Sequence, residues 1–264
     1  MPVRPGQEQR AEAFRALHAG EPFVIPNPWD AGSAKVLAGL GFQALATTSS
    51  GFAFTLGRAD GEVSLDEVAA HVRALAAATD LPVSVDLEDG YGDPAAAVAR
   101  VAEAGAVGGS IEDWDRAGRL YGLEEAVERV AAAVEAARRL GFPFTLTARA
   151  ENHVRRNPDL EDTIERLRAY ERAGADVLYA PGLRNGEEIA AVCGAVGRPV
   201  NVLAHRGLTM GEIVEAGAQR VSVGGGLAWA AVNGLVVAAE ELRSGGSCAG
   251  LAKPARLREW LGGA

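Results

Sequence analysis

Short apolar runs rich in β-branched residues alternate along this chain with segments rich in Ala, Leu, Glu and Arg that repeat at helical spacing. The runs fall near 23–27, 44–49, 82–87, 108–112, 144–149, 176–180, 199–204 and 220–224, with helices predicted in the gaps. The joints from helix to next strand share a pattern: LGFQAL (40–45), AGAVGGSI (104–111), LGFPFTL (140–146), AGADVLY (173–179) and AGAQRVSV (216–223). Each places Gly where a helix ends, because Gly adopts the left-handed C-cap without a Cβ clash. Asp66, Asp93 and Asp159 sit near predicted helix starts, where an acid accepts otherwise unpaired N–H groups. The strands are continuously apolar rather than alternating, as expected of parallel strands covered on both faces. Eight βα units predict an α/β fold, a (β/α)8 TIM barrel. An open doubly wound sheet is the runner-up, and no GxGxxG follows the first strand to support it.

Segments 229–245 and 252–261 predict further helices, joined by SGGSCAG (244–250). This joint reads either as a hinge that lets the last helix pack on a neighbouring subunit or as a surface loop. The 264 residues suit one barrel domain with a C-terminal helical extension from about 246 to 264. With 48% hydrophobic residues the chain can bury a large core. Thirty-five acidic against 26 basic side chains give a net charge of -9, which repels nucleic acid and anionic lipid. An acidic substrate must therefore be drawn in by local cations or a bound metal. Cys193 and Cys248 form no CxxC and read as reduced thiols. The start, MPVRPGQEQR, has no apolar signal core, and no run of about 18 apolar residues predicts a membrane span. The expected setting is the cytoplasm.

Barrel chemistry sits at the C-terminal ends of strands. Asp86 and Glu88, two apart at the end of strand 3, are expected on one side, with Glu112 of strand 4 reaching the same space. Converging carboxylates repel unless a cation joins them, and Mg²⁺ or Mn²⁺ prefers oxygen ligands. The bland alternative is that these acids cap helices or pair with Arg149. Asp89 and Asp113, on the opposite pleat, are expected to be caps or ion-pair partners. Arg149 suits a carboxylate clamp, or else a buried ion pair with Glu112 or Glu151. Ser49, Ser50, Gly51 and Phe52 form a turn that offers donors to an anionic oxygen. Asn201 and His205 end strand 7, His205 being either an acid–base group or a bystander. His18, His71 and His153 do not cluster and read as surface residues. A Gly224–Gly226 run at strand 8 is a weak phosphate-cradle signal.

From about residue 10 to 245 the chain resembles the isocitrate lyase/phosphoenolpyruvate mutase superfamily. The motifs that carry the resemblance are NPWDAGSAKVLAGLGF (27–42), ATTSSGF (46–52), VDLEDGYG (85–92), SIEDW (110–114), TARAE (147–151), AGADVLYAPG (173–182), PVNVLAHRGLT (199–209) and RVSVGG (220–225). The resemblance implies a barrel with a swapped C-terminal helix, assembled as a homodimer or homotetramer. It implies Mg²⁺ at Asp86, Glu88 and Glu112, with Glu88 standing where the family has a second Asp. It implies substrate binding by Arg149 and by the Ser50-Gly51-Phe52 turn, with Asp60 near the reaction centre. The family's lid motifs are missing: the loop after strand 4 is only DWDRAGRLYG (113–122), without a Cys. Tyr121 in this loop reads as a proton donor or as a docking residue for the next helix. The expected activity is a Mg²⁺-dependent lyase that cleaves a C–C bond of a small 2-hydroxy or 2-oxo (di)carboxylate through an enolate of a pyruvate-like product. The alternatives are C–P chemistry on a phosphonopyruvate-like substrate, and a barrel that binds a ligand without turnover.

Overall fold

The computed structural model describes residues 4–246, 248–251 and 256–261. Its eight strands are β1 (Phe23–Ile25), β2 (Leu45–Ala46), β3 (Val83–Asp86), β4 (Gly108–Glu112), β5 (Thr145–Arg149), β6 (Val177–Tyr179), β7 (Val200–Leu203) and β8 (Arg220–Ser222). All ladders are parallel, and the order runs β1-β8-β7-β6-β5-β4-β3-β2. The seam between β1 and β2 is joined by a hydrogen bond from Ala46 N to Pro26 O (3.1 Å). Asn27 strengthens it: its Nδ2 donates to Thr47 O (3.0 Å) while its Oδ1 accepts from Val223 N (2.9 Å). One buried amide thus ties β8, β1 and β2, and the sheet is a nearly closed (β/α)8 barrel.

Helix α1 (Gln7–Leu17) precedes the barrel and packs Ala11 and Phe14 against Phe23, Ile25, Ala44 and Val107. These partners lie in or near the starts of β1, β2 and β4, so α1 closes the amino-terminal end. Chemistry is left to the carboxyl end, where the loops lie. Around the barrel run α2 (Ala31–Gly39), α3 (Ser49–Thr55), α4 (Leu65–Ala78), α5 (Pro94–Glu103), α6 (Leu123–Arg138), α7 (Leu160–Ala173), α8 (Gly186–Ala195), α9 (Met210–Glu215) and α10 (Gly226–Arg243). Asp93 and Asp159 cap α5 and α7 as expected, whereas Ser64, not Asp66, caps α4. Four of the five joint glycines adopt positive φ: Gly41, Gly105, Gly174 and Gly217.

The predicted strand over 44–49 shortens to two residues. Thr48 accepts the N–H of Gly51 (3.3 Å) and starts α3 there, so the Ser49–Phe52 stretch is helical rather than a turn. At the far end, α11 (Leu257–Leu261) returns to α2 of the same chain. Trp260 fills the space that a side chain at Gly39 would occupy, and Lys35 Nζ donates to Leu261 O (3.3 Å). Residues 252–255 of the predicted last segment, and Ser247 of the predicted hinge, lie outside the described residues. No helix among the described residues is long and apolar enough to cross a membrane.

Three histidines depart from the surface expectation. His71 and His153 are buried and His18 is half-buried. His71 stacks on Phe52 at 3.9 Å, His18 meets Phe14 and Phe23 edge-on, and His153 Nε2 lies 3.5 Å from Glu188 Oε2.

Candidate active site

A cavity of about 230 Å³ opens at the carboxyl ends of the strands. Its wall includes Asn27, Ser49, Ser50, Asp60, Asp86, Arg149, Tyr179, Asn201 and Arg220. Ser49, Asp60, Arg149 and Arg155 also line an adjoining mouth that carries Glu88, Glu112, Trp114 and Arg116.

Arg149 is the hub. It ends β5 in register with Glu112 of β4, so both side chains enter the same space. Its Nη1 donates to Asp86 Oδ1 (2.8 Å), and its Nη2 lies 2.9 Å from Glu112 Oε2 and 2.7 Å from Glu151 Oε1. Although burial works against its charge, Glu151, Glu112 and Asp86 hold the Arg149 guanidinium protonated well above its ordinary range. Both sequence readings of Arg149 therefore meet at one residue: it lines the cavity, and it is also the buried partner of the acids. Asp86 is further held by Ser49 N (3.4 Å) and Ser110 Oγ (3.5 Å).

Glu88 does not join Asp86 and Glu112. β3 ends at Asp86, and the backbone of Glu88 turns to φ 48°, so the strand alternation that would align residues 86 and 88 is broken. A left-handed non-glycine residue is uncommon and marks a locally constrained loop. The Glu88 carboxylate goes instead to Tyr91 Oη (2.8 Å) and Arg116 Nη2 (3.2 Å). Among the described residues, no three acidic, His or Cys side chains stand together as a preformed metal cage. Arg149 occupies the space between Asp86 and Glu112.

Burial pushes the Glu112 carboxyl well above the usual carboxylate range, with Glu151 and Asp86 adding to the rise against the pull of Arg149. Burial also raises Glu88, opposed by Tyr91 and Arg116. Asp60 is an exposed residue, but its carboxyl faces the crowded cavity. Desolvation raises it, a hydrogen bond with Ser49 opposes, and Asp86 adds to the rise.

Other predicted site residues fall into two groups. Ser50 and Asn201 line the cavity; Asn201 is buried and donates to Ser222 Oγ (2.9 Å). Gly51 and Phe52 do not line it. Gly51 is packed against Thr48, Trp29 and Ala228, and Phe52 is turned onto His71 by the first turn of α3. Tyr121 lies behind the mouth, its hydroxyl donating to Asp89 (3.2 Å). His205 is exposed after β7, where its Nδ1 accepts from Gly207 N (3.0 Å), and it does not reach the cavity wall. The 113–122 loop is braced by a Trp114–Leu120 bridge and by Arg119 on Asp115.

Sequence reading missed Arg155, which pairs with Glu151 (3.0 Å) and Glu112 (3.5 Å) and lies over Trp114. It sits in an irregular loop with no periodic signal. It also missed Arg220 as a wall residue. For Arg220 a signal existed: a charge at the head of a strand expected to be buried.

The chain matches the family model described as phosphoenolpyruvate phosphomutase over residues 14–243. A protein of Burkholderia cenocepacia J2315, crystallised as a candidate lyase/mutase, superposes with a TM-score of 0.92 at 52% identity, covering 96% of each chain. The 2-methylisocitrate lyase of Halalkalibacterium halodurans is 31% identical over 203 residues, 74% of this chain and 67% of the relative. The oxaloacetate decarboxylase of Rhodopseudomonas palustris is 31% identical over 204 residues, 72% and 69% respectively.

Proposed function

Because the chain belongs to the phosphoenolpyruvate phosphomutase family, we propose that it is a Mg²⁺-dependent lyase that cleaves a C–C bond of a small 2-hydroxy or 2-oxo (di)carboxylate. One observation carries this reading. The wall of the mouth carries five carboxylates (Asp60, Glu62, Glu88, Glu112 and Asp115) against three guanidiniums (Arg116, Arg149 and Arg155), an excess of two negative charges. Three of the five are pushed toward the neutral form. A divalent cation matches that excess in charge and in its preference for oxygen. Mg²⁺ retains water and needs only one or two direct carboxylates, so the lack of a preformed cage suits it. Asp86, Glu88 and Glu112 would hold it. When bound, the ion polarises the oxo and carboxylate oxygens of the substrate and offsets charge developing on oxygen.

The chain's own groups do the rest. Arg149 orients the substrate carboxylate through its fork, which becomes free as Asp86 and Glu112 turn from it. Ser49 and Ser50 offer hydroxyl donors on the β2 side. Asp60, with its raised carboxyl, takes the hydroxyl proton onto an Oδ. The freed oxygen pair closes to a C=O as the C–C bond breaks, the pair of that bond passes into the enolate, and the proton held by Asp60 is returned to the enolate carbon. The apolar side chains that α10 exposes, among them Leu235, Val236 and Val237, support a homo-oligomer.

The test is turnover of a panel of 2-hydroxy and 2-oxo dicarboxylates, followed by release of the 2-oxo acid product. Turnover is expected with Mg²⁺, with loss on chelation and at least a 100-fold lower rate in Asp86→Asn. A confirmed activity that chelators leave untouched would contradict the reading. Phosphonopyruvate followed by phosphorus NMR should show no loss of its C–P signal.

A further inference from the structure

Arg220 heads β8 and is only 5% exposed. Its Nε donates to Asn201 Oδ1 (2.9 Å) and its Nη2 to Thr147 Oγ1 (3.0 Å). Its Nη1 lies 3.1 Å from His18 Nε2. The other ring nitrogen of His18 is 2.9 Å from Phe14 O, which places the ring proton on Nδ1 and leaves Nε2 to accept. Burial, with Arg220 adjacent, pushes His18 down to about 3, so this partner is neutral. All three partners are therefore uncharged. Among the described residues no Asp or Glu pairs with Arg220, whereas Arg149 meets three acids and Arg166 meets Asp113 and Asp162. A buried charge without a counter-charge is costly.

Arg220 also lines the cavity, with Tyr179 and Ser222, away from the acid-rich mouth. The cavity is therefore bipolar: excess negative charge at the opening, an unmatched cation deeper in. Of the five N–H donors of a guanidinium, three are used here. The two that remain, one on each Nη, can be offered to the oxygens of a carboxylate.

We infer that Arg220 binds the second carboxylate of a dicarboxylate substrate, whose 2-oxo or 2-hydroxy carboxylate end lies at the mouth. The inference rests on the function proposed above and narrows its substrate class to diacids. Arg220 is then a specificity residue, and a monoacid leaves its charge unmet.

The test is calorimetric binding in Mg²⁺ of three 2-hydroxy diacids (tartronate, malate and 2-hydroxyglutarate), each against the monoacid of equal chain length. Oxalate, too short to span the cavity, probes the mouth alone. The expected result is at least a tenfold advantage for one diacid over its monoacid in the wild type. Arg220→Met should lose that advantage while oxalate affinity stays within twofold. No diacid advantage in the wild type, or an advantage that survives in Arg220→Met, overturns the inference. If Arg220→Met does not fold, the wild-type series and Arg220→Lys, which keeps the charge but loses the fork, decide it. Failure of the wild type to bind oxalate would count against the reading of the mouth, and the diacid comparison would still decide the role of Arg220.

Discussion

His71 illustrates what a single buried ring does to the molecule. It lies flat on Phe52, and its Nε2 has no hydrogen-bond partner. Burial pushes its imidazole down to about 4, with Asp30 opposing weakly. The unfolded chain, with an ordinary histidine near 6.5, binds more protons than the folded one between pH 6.5 and 4, so stability falls as pH falls through that window. The loss from His71 is about 3 kcal/mol across the window. His18, pushed down to about 3, adds a similar slope. His71→Phe, which keeps the stack, should remove one proton's share of the slope in urea unfolding at pH 7, 6 and 5. Parallel slopes for the two proteins would refute this. For His71 a signal existed: it lies three residues after Val68 and four before Leu75, on the buried stripe of α4. The Asp86, Glu112 and Arg149 positions were legible, since strand ends in a barrel converge. Glu88 was not, because its left-handed backbone cannot be read from strand alternation.

Between elements, Asp113 acts as a clasp. It follows Glu112 on the opposite pleat, as the alternation predicts, and faces away from the cavity. Its Oδ1 accepts Glu151 N (2.7 Å), and its Oδ2 accepts Tyr170 Oη (2.5 Å) and Arg166 Nη1 (3.0 Å). The end of β4, the segment after β5 and helix α7 are thereby joined, and Glu151 is set against Arg149. Asp113→Ala leaves Arg166 buried without this partner and should cost about 3–5 kcal/mol. Asp113→Asn, which keeps an acceptor, should cost less. A denaturation midpoint for Asp113→Ala equal to wild type would show that the clasp does not bear on stability. All eight strands were legible from apolar runs. The exception in length, β2, was misread because the β-branched Thr47 and Thr48 extend the apparent strand while Thr48 already caps α3.

At the scale of the whole molecule, α1 closes one end of the barrel and the loops leave the other open, so charge is organised along one axis. The net charge of -9 is not spread evenly with respect to the site: acids crowd the mouth and a lone buried cation lies deeper. Composition disclosed the sign of the net charge but not this polarity, which depends on which strand end each residue occupies. The fold follows from periodicity that repeats eight times, whereas the pairing of Arg149 with three acids arises only when β3, β4 and β5 are brought side by side. The central claim is that this mouth holds a divalent cation beside a small acid. The measurement that reaches it most directly is a crystal structure with Mg²⁺ and oxalate, the mimic of an enolate. The account predicts the ion on Asp86 with Glu88 and Glu112 around it, and oxalate against Arg149. An ion bound elsewhere, or a mouth in which Arg149 still grips Asp86 and Glu112 at saturating Mg²⁺ and oxalate, would contradict it.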